Sequence, residues 1–333
     1  MKVLVTGGAG YIGSTVCSAL LDAGHTPIIL DSLITGREEY TRGRIFYNGD
    51  FADRALLERI FFEHPQVQCT IHMAALIVVP DSVAQPYEYY RENVSKTIEL
   101  LNILKSRGIN KFVFSSSAAI YDTVPGFTVT EDSPLNPLCP YSKTKHIVEQ
   151  ILGDFSAAYS MKAISLRYFN VIGADPELRT GLQNRSPSHI LGKLVSVAEG
   201  YLESFSITGT DWPTRDGTGI RDYIHVWDIA RAHVAAVVNF DRAVAAAGAG
   251  FVPINLGCGN GITVMEFVEA FEKVIGREIK KITAPPRMGD IAGACASAER
   301  AEKLLGWKPG LSIQDGIKDA LRWSEARKNI LGY

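Results

Sequence analysis

Tyr141 and Lys145 stand four residues apart in the segment Pro140-Tyr-Ser-Lys-Thr-Lys-His. At helical spacing their side chains share one face, so a phenol lies beside an ammonium group. A phenol ordinarily titrates near pH ~10, and a neighbouring positive charge favours its ionised form. The pair could therefore supply a general base, although this spacing also arises by chance in long helices.

A glycine-rich turn near the start of the chain gives this pair a context. Gly8, Gly10 and Gly13 fit the pattern G-x-G-x-x-G, between a short apolar run and a stretch with apolar residues at helical spacing. In that setting the glycines allow a tight turn and a close backbone approach to a pyrophosphate at a helix N-terminus. The motif predicts a dinucleotide site, with contacts from Gly7, Gly8, Gly10, Tyr11, Ile12 and Gly13.

Asp31 bears on which dinucleotide is bound. It ends the second strand-like run, about 20 residues beyond the glycines, where a carboxylate can accept hydrogen bonds from ribose hydroxyls. Because its negative charge would repel a 2′-phosphate, NAD is favoured over NADP. Arg37 and Arg42 lie close enough in the sequence to keep NADP as an alternative.

The bulk composition bounds the remaining classes of function. Of 333 residues, 46% are apolar and 21% charged, which suffices for a large core and favours two coupled subdomains. The net charge is −2 and basic residues are scattered among acids, so we expect no nucleic acid and no membrane as partner. No apolar run reaches the ~18 residues of a membrane span and no signal peptide is visible, so we expect a cytoplasmic protein.

The cysteines and histidines do not indicate a metal site. The five cysteines are scattered without C-x-x-C spacing, and the seven histidines do not cluster with carboxylates at metal-ligand spacing. Ordinary core or loop thiols are the simpler interpretation. We therefore predict no metal and no disulfide framework.

Strand-like runs alternate with helical patterns through the first half of the chain, which is typical of a doubly wound parallel α/β sheet of the Rossmann type. A polar loop follows, and then a second block of helices, one of which is predicted to begin with a capping box of Thr263 and Glu266. We expect an NAD-binding domain at 1–169 with a return segment near 222–256. A smaller α/β substrate-binding subdomain is expected at 170–221 and 257–333.

The run Ala243-Val-Ala-Ala-Ala-Gly-Ala-Gly is the one low-complexity stretch of the sequence. Its small residues and its two glycines predict a flexible surface connection. We expect it to carry no chemistry.

Further motifs follow one another in the order found in a family of nucleotide-sugar enzymes. Beside the glycine turn and Pro140-Tyr-Ser-Lys-Thr-Lys, they are His72-Met-Ala-Ala, Ser115-Ser-Ser-Ala, Arg167-Tyr-Phe-Asn, Asp216-Gly-Thr-Gly-Ile-Arg-Asp-Tyr-Ile-His-Val and Asn255-Leu-Gly-Cys-Gly. On these motifs the chain resembles the UDP-glucose 4-epimerases, which are extended short-chain dehydrogenase/reductases. The resemblance implies that the enzyme interconverts UDP-glucose and UDP-galactose through a transient 4-keto sugar and bound NAD.

The resemblance also implies roles for single residues. Tyr141 looks like the base for the sugar 4-hydroxyl, Lys145 like the residue that lowers its pKa, and Ser117 like the hydroxyl that bonds the reacting oxygen. The further cofactor contacts implied are Asp50, Phe51, Ala74, Ala75, Asn93, Ser115, Tyr141, Lys145 and Tyr168. The implied contacts to the UDP-sugar are Ser117, Asn170, His189, Arg221, Arg287, Asp290 and Ala294. The arginines suit the diphosphate, because a guanidinium binds phosphate oxygens bidentately.

Ala294 bears on the breadth of substrates. It lies four residues after Asp290, where related epimerases place Tyr in narrow enzymes and smaller residues in broad ones, beside the sugar C2 substituent. An alanine leaves room for an N-acetyl group, so we expect UDP-N-acetylglucosamine and its 4-epimer to be interconverted too. With a one-residue shift, Cys295 takes this position, and the expectation is the same.

A homodimer is expected as well. Helices near 87–106 and 141–160 carry apolar residues on more than one face, which leaves one face for a four-helix contact across a two-fold axis. The family resemblance implies the same pairing.

Two other functions stay open on the sequence alone. A 4,6-dehydratase or decarboxylase of the same superfamily needs an added acid or base beside the catalytic hydroxyl, whereas Ala118 and Ala119 follow Ser117. A non-catalytic NAD-binding sensor would keep the glycine turn and lose activity. The intact Tyr141 and Lys145 argue against that alternative.

Overall fold

The computed structural model describes residues 1–286 and 292–333, and strands alternate with helices along most of that chain. The strands are β1 (Lys2–Thr6), β2 (Thr26–Asp31), β3 (Ile45–Asn48), β4 (Val67–His72), β5 (Lys111–Ser115), β6 (Thr128–Val129), β7 (Lys162–Tyr168), β8 (Asn170–Ile172), β9 (Phe205–Thr208), β10 (Ile220–Arg221), β11 (Tyr223–His225), β12 (Phe251–Leu256), β13 (Ile262–Thr263), β14 (Lys281–Ala284) and β15 (Cys295–Ala296). The helices are α1 (Tyr11–Asp22), α2 (Arg54–Glu63), α3 (Val79–Ala84), α4 (Pro86–Tyr90), α5 (Lys96–Ser106), α6 (Pro140–Ala158), α7 (Ile190–Ala198), α8 (Val226–Val238), α9 (Phe240–Ala247), α10 (Val264–Ile275), α11 (Glu299–Leu305) and α12 (Ile313–Ile330).

Seven of the described strands form one parallel sheet in the order β12-β7-β5-β4-β1-β2-β3. The chain order runs outward in opposite directions from the junction of β1 with β4. This junction is the topological switch point of a doubly wound fold, where ligands bind at the carboxyl ends of the strands. The predicted Rossmann-type sheet is confirmed.

The strands of this sheet are apolar because helices cover both of its faces. Val3 and Val5 lie in a core cluster on one face, where α8 packs against α1. Leu4 points to the opposite face and belongs to a second cluster that includes Leu101 and Val148. The side chains of β1 thus alternate between the two cores. Packing on both faces keeps the carboxyl edge of the sheet rigid.

The second block of the chain has its own core. Leu194, Phe267, Phe271 and Ile317 are fully buried there, between α7, α10 and α12. Four two-stranded sheets border this block among the described residues: β8 with β11, β9 with β14, β10 with β13, and β6 with β15. Between the elements of this block, the chain returns to the large sheet: β12 is one of its strands, and α8 and α11 pack against it. The exact domain division stays a prediction.

The alanine-rich run near residue 243 is a helix, so its prediction as a flexible connection was wrong. It forms most of α9, where Phe240 and Ala243 are buried in the first core. Gly248 then ends the helix with a φ of +65°. Alanine has the highest intrinsic helix propensity, and burial of one face adds the tertiary contact that a short helix needs.

Thr263 and Glu266 form the predicted capping box at the start of α10. The Thr263 hydroxyl accepts a hydrogen bond from the Glu266 backbone N at 3.1 Å, and the Glu266 carboxylate accepts one from the Thr263 backbone N at 2.9 Å. Arg215 Nε donates to the same carboxylate at 2.6 Å. Its hydrogen bonds lower the pKa of Glu266 to about 2.

We expect Glu266→Gln to lower the melting temperature at pH 7, with a loss of roughly 1 kcal/mol or less because the site is half exposed. A carboxylate with a depressed folded-state pKa stabilises above its unfolded pKa, and that contribution is lost as the pH falls toward the folded value. The difference from wild type should therefore vanish between about pH 4.5 and pH 2. Thermal unfolding monitored by circular dichroism measures it. Glu269→Gln, on the exposed face of α10, is the control, and equal shifts for both variants would contradict the prediction.

Candidate active site

The glycine turn between β1 and α1 is packed too closely for any side chain. Gly7 has a φ of +72°, and a Cβ atom there would lie 2.6 Å from the backbone N of Ala74. A Cβ atom on Gly13 would lie 2.1 Å from the carbonyl oxygen of Gly7. Gly10 supplies no side-chain cap to α1, so the first N–H groups of the helix can receive an anionic ligand.

Asp31 lies at the end of β2, next to this turn. Its carboxylate accepts hydrogen bonds from the backbone N of Ala9 at 2.9 Å and of Leu33 at 2.8 Å. Burial raises the pKa of Asp31, and these two bonds oppose that rise. Each oxygen retains a lone pair for a ribose hydroxyl. The guanidinium of Arg37, weighed above as a sign of NADP, lies 5.0 Å from the ring centroid of Tyr333.

Asn93 fixes the loop that follows β4 and includes Ala74 and Ala75. It sits in a π-helical turn between α4 and α5, a local irregularity that often occurs at functional sites. Its Oδ1 accepts from the backbone N of Leu76 at 2.8 Å, and its Nδ2 donates to the Thr144 hydroxyl at 3.1 Å. Asn93 therefore shapes this wall of the site by tying the loop to α6.

Asp50 and Phe51, the implied adenine contacts, follow β3 at the same edge of the sheet. Lys96 Nζ lies 2.5 Å from Asp50 Oδ2, an ion pair that the sequence did not indicate. The ring of Phe51 meets the buried ring of His72 edge-on, with centroids 4.9 Å apart. Both residues thus have fixed positions beside the carboxyl ends of the strands.

Ser117, Tyr141 and Lys145 meet where β5 ends and α6 begins. Pro140 opens α6, which suits the first position of a helix, and Tyr141 and Lys145 lie on consecutive turns. Lys145 Nζ donates to the carbonyl oxygen of Ser115 at 2.7 Å and lies 6.0 Å from the centroid of the Tyr141 ring. The Ser117 hydroxyl lies close enough to the Tyr141 phenol to lower the pKa of that phenol.

The expected lowering of the Tyr141 pKa by Lys145 is not found in the protein alone. Burial raises the pKa of Tyr141 to about 12, and only the hydrogen bond with Ser117 acts in the opposite direction. Burial lowers the pKa of Lys145 to about 7, against the opposing effect of the Glu149 carboxylate. The amine points at the Ser115 carbonyl, which explains its weak influence on the phenol. Ionisation of Tyr141 near neutrality therefore needs a further positive charge in the site.

Tyr168 and Ser115 hold the ends of β7 and β5 together. Their hydroxyls are hydrogen-bonded to each other, and burial raises the pKa of Tyr168. The His233 ring packs edge-on against the Tyr168 ring at 6.2 Å. The Ser115 carbonyl also accepts the hydrogen bond from Lys145. The contact between Tyr168 and Ser115 therefore helps to fix the position of the group that holds the amine.

Two of the residues expected to contact the substrate, Arg221 and Asn170, lie on short strands of the second block. Arg221 is in β10 and donates from Nη1 to the carbonyl oxygen of Ile220 at 2.7 Å. Asn170 begins β8, and its backbone N donates to the carbonyl oxygen of Asp222 at 3.1 Å. The buried Asp222 carboxylate accepts from the backbone N of Ala296 at 2.9 Å. Asp222 thus joins β10, β11 and β15.

Ala294 packs beside the segment that carries Ser117. It is buried in a small cluster with Ala118 and other apolar residues. The thiol of Cys295 lies 3.4 Å from the hydroxyl of Thr128, and successive residues of an extended chain point to opposite sides. Ala294 therefore faces the cluster around Ala118, and Cys295 faces Thr128.

His189 has a role in the fold of α7. Its Nδ1 accepts a hydrogen bond from the backbone N of Gly192 at 3.3 Å, and burial lowers the pKa of the imidazole to about 4. The ring borders a cavity of about 30 Å³ that Trp323 also lines. Its contact with substrate stays a prediction. Arg287 and Asp290 lie outside the described residues.

The sequence analysis missed a buried ion pair beside the site. Arg167 Nη2 lies 2.6 Å from Glu149 Oε2, and both side chains are almost fully buried. The spacing in the sequence could have placed Glu149 near the site, because it follows Lys145 by four residues and must share its helix face.

The described residues contain neither a cluster suited to a metal ion nor a helix suited to a membrane. Within residues 1–286 and 292–333, no group of three or more His, Cys, Asp or Glu side chains could hold a metal ion. Nor does that part of the chain contain a helix long and apolar enough to cross a membrane.

Comparison with known proteins places this site in a family. Residues 3–249 match the NAD dependent epimerase/dehydratase family. A UDP-glucose 4-epimerase from Azospirillum brasilense is 40% identical over 333 residues, covering 99% of this chain and 94% of that protein. A crystal structure of the enzyme from Stenotrophomonas maltophila, with bound NAD and formylated UDP-arabinopyranose, is 37% identical with a TM-score of 0.93 and covers 99% of both chains.

A second solved structure agrees with these. The UDP-glucose 4-epimerase from Bifidobacterium longum, in complex with NAD+ and UDP, is 38% identical with a TM-score of 0.90, again over 99% of both chains. The regions covered in these comparisons include the glycine turn, α6 and the second block. The chain therefore belongs to the NAD dependent epimerase/dehydratase family and, within it, to the UDP-glucose 4-epimerases.

Proposed function

We propose that this enzyme interconverts UDP-glucose and UDP-galactose by inverting the sugar at C4, with NAD as its cofactor. The observation that carries the proposal is the meeting of Ser117, Tyr141 and Lys145 beside a glycine turn, in a chain of the UDP-glucose 4-epimerase family. Incubation with each sugar nucleotide in turn, read from the anomeric signals by NMR, tests it. Both reactions should reach the same mixture of the two epimers.

The residues at the switch point fit a dinucleotide. At Gly7 and Gly13 a Cβ atom would collide with backbone, which leaves the N-terminus of α1 clear for a pyrophosphate. Asp31 would receive the adenosine ribose hydroxyls, while its charge disfavours a 2′-phosphate. When bound, NAD supplies the reversible hydride acceptor that oxidation at C4 requires.

Tyr141 is the residue suited to remove the proton from the sugar 4-hydroxyl. Tyr141 is half-buried and its phenol lies beside the Ser117 hydroxyl, which can hold the same sugar oxygen. With a pKa near 12 in the protein alone, the phenol is protonated at neutral pH. The positive charges of Lys145 and of an oxidised nicotinamide both favour the phenolate. The ionised fraction of Tyr141 therefore depends on whether NAD+ is bound.

Arg221 is suited to hold the diphosphate, because its guanidinium can form paired hydrogen bonds with phosphate oxygens. Firm binding at that end leaves the hexose free to present either face to the hydride acceptor. Inversion requires this freedom, since the hydride must return to the opposite face of the 4-keto sugar.

The side chains next to Ser117 disfavour a dehydratase or decarboxylase. Ala118 follows Ser117 and is buried in an apolar cluster with Tyr121 and Ala294. Elimination or decarboxylation after oxidation requires an acid or base at such a position. Loss of the 6-hydroxyl from UDP-glucose, or release of carbon dioxide from UDP-glucuronate offered as a second substrate, would favour those alternatives instead.

Replacing the base gives the most direct test of the mechanism. We expect Tyr141→Phe to abolish epimerisation while NAD stays bound, because the ring keeps its packing and only the phenolic oxygen is lost. Turnover by NMR and NAD content by absorbance measure the two effects. Tyr87→Phe removes a phenol from an exposed surface and serves as the control. Retention of about a tenth of wild-type turnover would show that Tyr141 is not the base.

Ala294 is the basis for a broad substrate range. We expect the wild type to epimerise UDP-N-acetylglucosamine as well as UDP-glucose, and Ala294→Tyr to suppress the N-acetylated reaction selectively. A tyrosine would occupy the space of the N-acetyl group, a steric cost on the order of 1–3 kcal/mol or more. The ratio of kcat/KM for the two sugars measures it, with Ala294→Ser as the control. No turnover of the N-acetylated sugar by wild type at millimolar concentration would contradict this expectation.

We also expect a homodimer that pairs α5 and α6 across a two-fold axis. Ile98 on α5 is exposed, and Ile147 and Ile151 on α6 are half-buried, although Leu101 and Val148 point into the core. Light scattering should give twice the chain mass of 36.4 kDa. Ile98→Glu should weaken the dimer.

Val238→Glu is the matched control for this prediction, because it adds the same charge at an exposed apolar residue of α8, on the opposite side of the sheet. It should leave the dimer intact. A wild-type mass near 36.4 kDa at micromolar concentration would count against the dimer.

A further inference from the structure

The Glu149 carboxylate accepts four hydrogen bonds beside the site, yet the mechanism above does not use it. Its side chain is only 3% exposed. Oε1 accepts from the hydroxyls of Ser116 at 2.7 Å and Ser165 at 2.6 Å, and from Arg167 Nε at 3.0 Å. Oε2 accepts from Arg167 Nη2 at 2.6 Å. A buried charge is tolerated only with such complete pairing.

The bond to Ser116 connects Glu149 with the catalytic groups. Ser116 lies between two residues that face them: the Ser115 carbonyl accepts from Lys145, and the Ser117 hydroxyl lies beside the Tyr141 phenol. On α6, Tyr141, Lys145 and Glu149 follow one another at intervals of four residues and share a face. Three consecutive serines on one side thus meet three side chains of one helix on the other.

Arg167 anchors this arrangement from the other side. Its Nη1 donates to the Tyr121 hydroxyl at 2.8 Å, and that hydroxyl donates to Asn255 Oδ1 at 2.7 Å. These residues come from β7, from the segment after β5 and from β12. Because Tyr121 also belongs to the apolar cluster around Ala294, the network reaches the proposed sugar pocket.

We propose that Glu149 is a positioning residue for the reaction: its carboxylate holds Ser116, and through it the segment from Ser115 to Ser117, at the spacing from α6 that brings the serine groups to Tyr141 and Lys145. The inference rests on the proposed function. It goes further by assigning a role to a residue that touches neither cofactor nor substrate.

The charge of Glu149 has a second effect, on Lys145. The groups that face the amine are the Ser115 carbonyl and the Phe114 ring from β5, His72 from β4, and Glu149 and the Tyr141 ring from α6 itself. Burial lowers the pKa of His72 to about 3, so it is neutral. Glu149 is then the negative charge that opposes the effect of burial, which lowers the Lys145 pKa to about 7. Removing that charge must lower the Lys145 pKa further.

Glu149→Gln in the NAD-loaded enzyme tests the proposal, because glutamine keeps the shape and loses the charge. We expect kcat for UDP-glucose to fall about tenfold or more with KM changed less, since the groups would be misplaced for chemistry and the substrate still held. The basic limb of the kcat profile should move to lower pH. Ser116→Ala leaves the ion pair with Arg167 intact, so it should lower kcat without moving the profile.

Asp175→Asn is the matched control. Asp175 is fully buried and pairs with Arg179 at 2.6 Å in the loop after β8. Its variant should lose stability and keep the wild-type kcat and pH profile. If Glu149→Gln behaves in the same way, its role is structural only and the proposal is overturned. If Glu149→Gln does not fold, Ser116→Ala decides: wild-type kcat in that variant overturns the proposal, and reduced kcat supports it.

A readout without turnover separates this proposal from the proposed function. The pKa of Lys145, followed by NMR of the enzyme labelled at its lysine side chains, should be lower in Glu149→Gln than in wild type. An inactive wild-type enzyme would contradict the epimerase function. The Lys145 pKa of wild type and of Glu149→Gln could still be compared in that case. An unchanged Lys145 pKa, together with wild-type kcat in Ser116→Ala, overturns the positioning role alone.

Discussion

The burial of the Lys145 amine is the constraint around which this site is built. An amine removed from water loses its charge unless hydrogen-bond acceptors and negative groups replace the solvent. The Ser115 carbonyl, the Phe114 ring and the Glu149 carboxylate provide that replacement. All three come from the packing of α6 on the ends of the central strands. The catalytic geometry and the core of the first domain are therefore one structure, and neither can relax without the other.

The second block is assembled on a different principle. Its short strands pair residues that are far apart in the chain, as in β6 with β15 and β8 with β11. Two- or three-residue ladders contribute little by themselves, so buried polar groups hold them together. Asp222 is the main one, because its carboxylate receives backbone N–H groups from Cys258 and Ala296. These short ladders thus depend on a few specific hydrogen bonds, whereas the helices of the same block pack around an apolar core.

Local patterns in the sequence were enough to predict the sheet, the glycine turn, the capping box of α10 and the meeting of Tyr141 with Lys145. These features depend on residues close together in the chain, or on motifs whose geometry is tightly constrained. The alanine-rich run was misjudged, because burial of Phe240 and Ala243 decides its structure. The raised pKa of Tyr141 depends on burial by distant segments in the same way, and so does the network of Glu149. The spacing of Glu149 from Lys145 indicates only that the two share a helix face, and it does not identify the partners of Glu149 on other segments.

The pairing of β15 with β6 separates two properties of the enzyme. Ala294 is carried by a short ladder between distant parts of the chain, while Ser117 and Tyr141 are carried by the central sheet and its helix. In the proposed function, a change of side-chain volume at Ala294 alters the sugar pocket, while Ser117 and Tyr141 stay anchored to the large sheet and to α6. The fold allows the choice of sugar to diverge during evolution at single positions, while the chemistry at C4 stays the same.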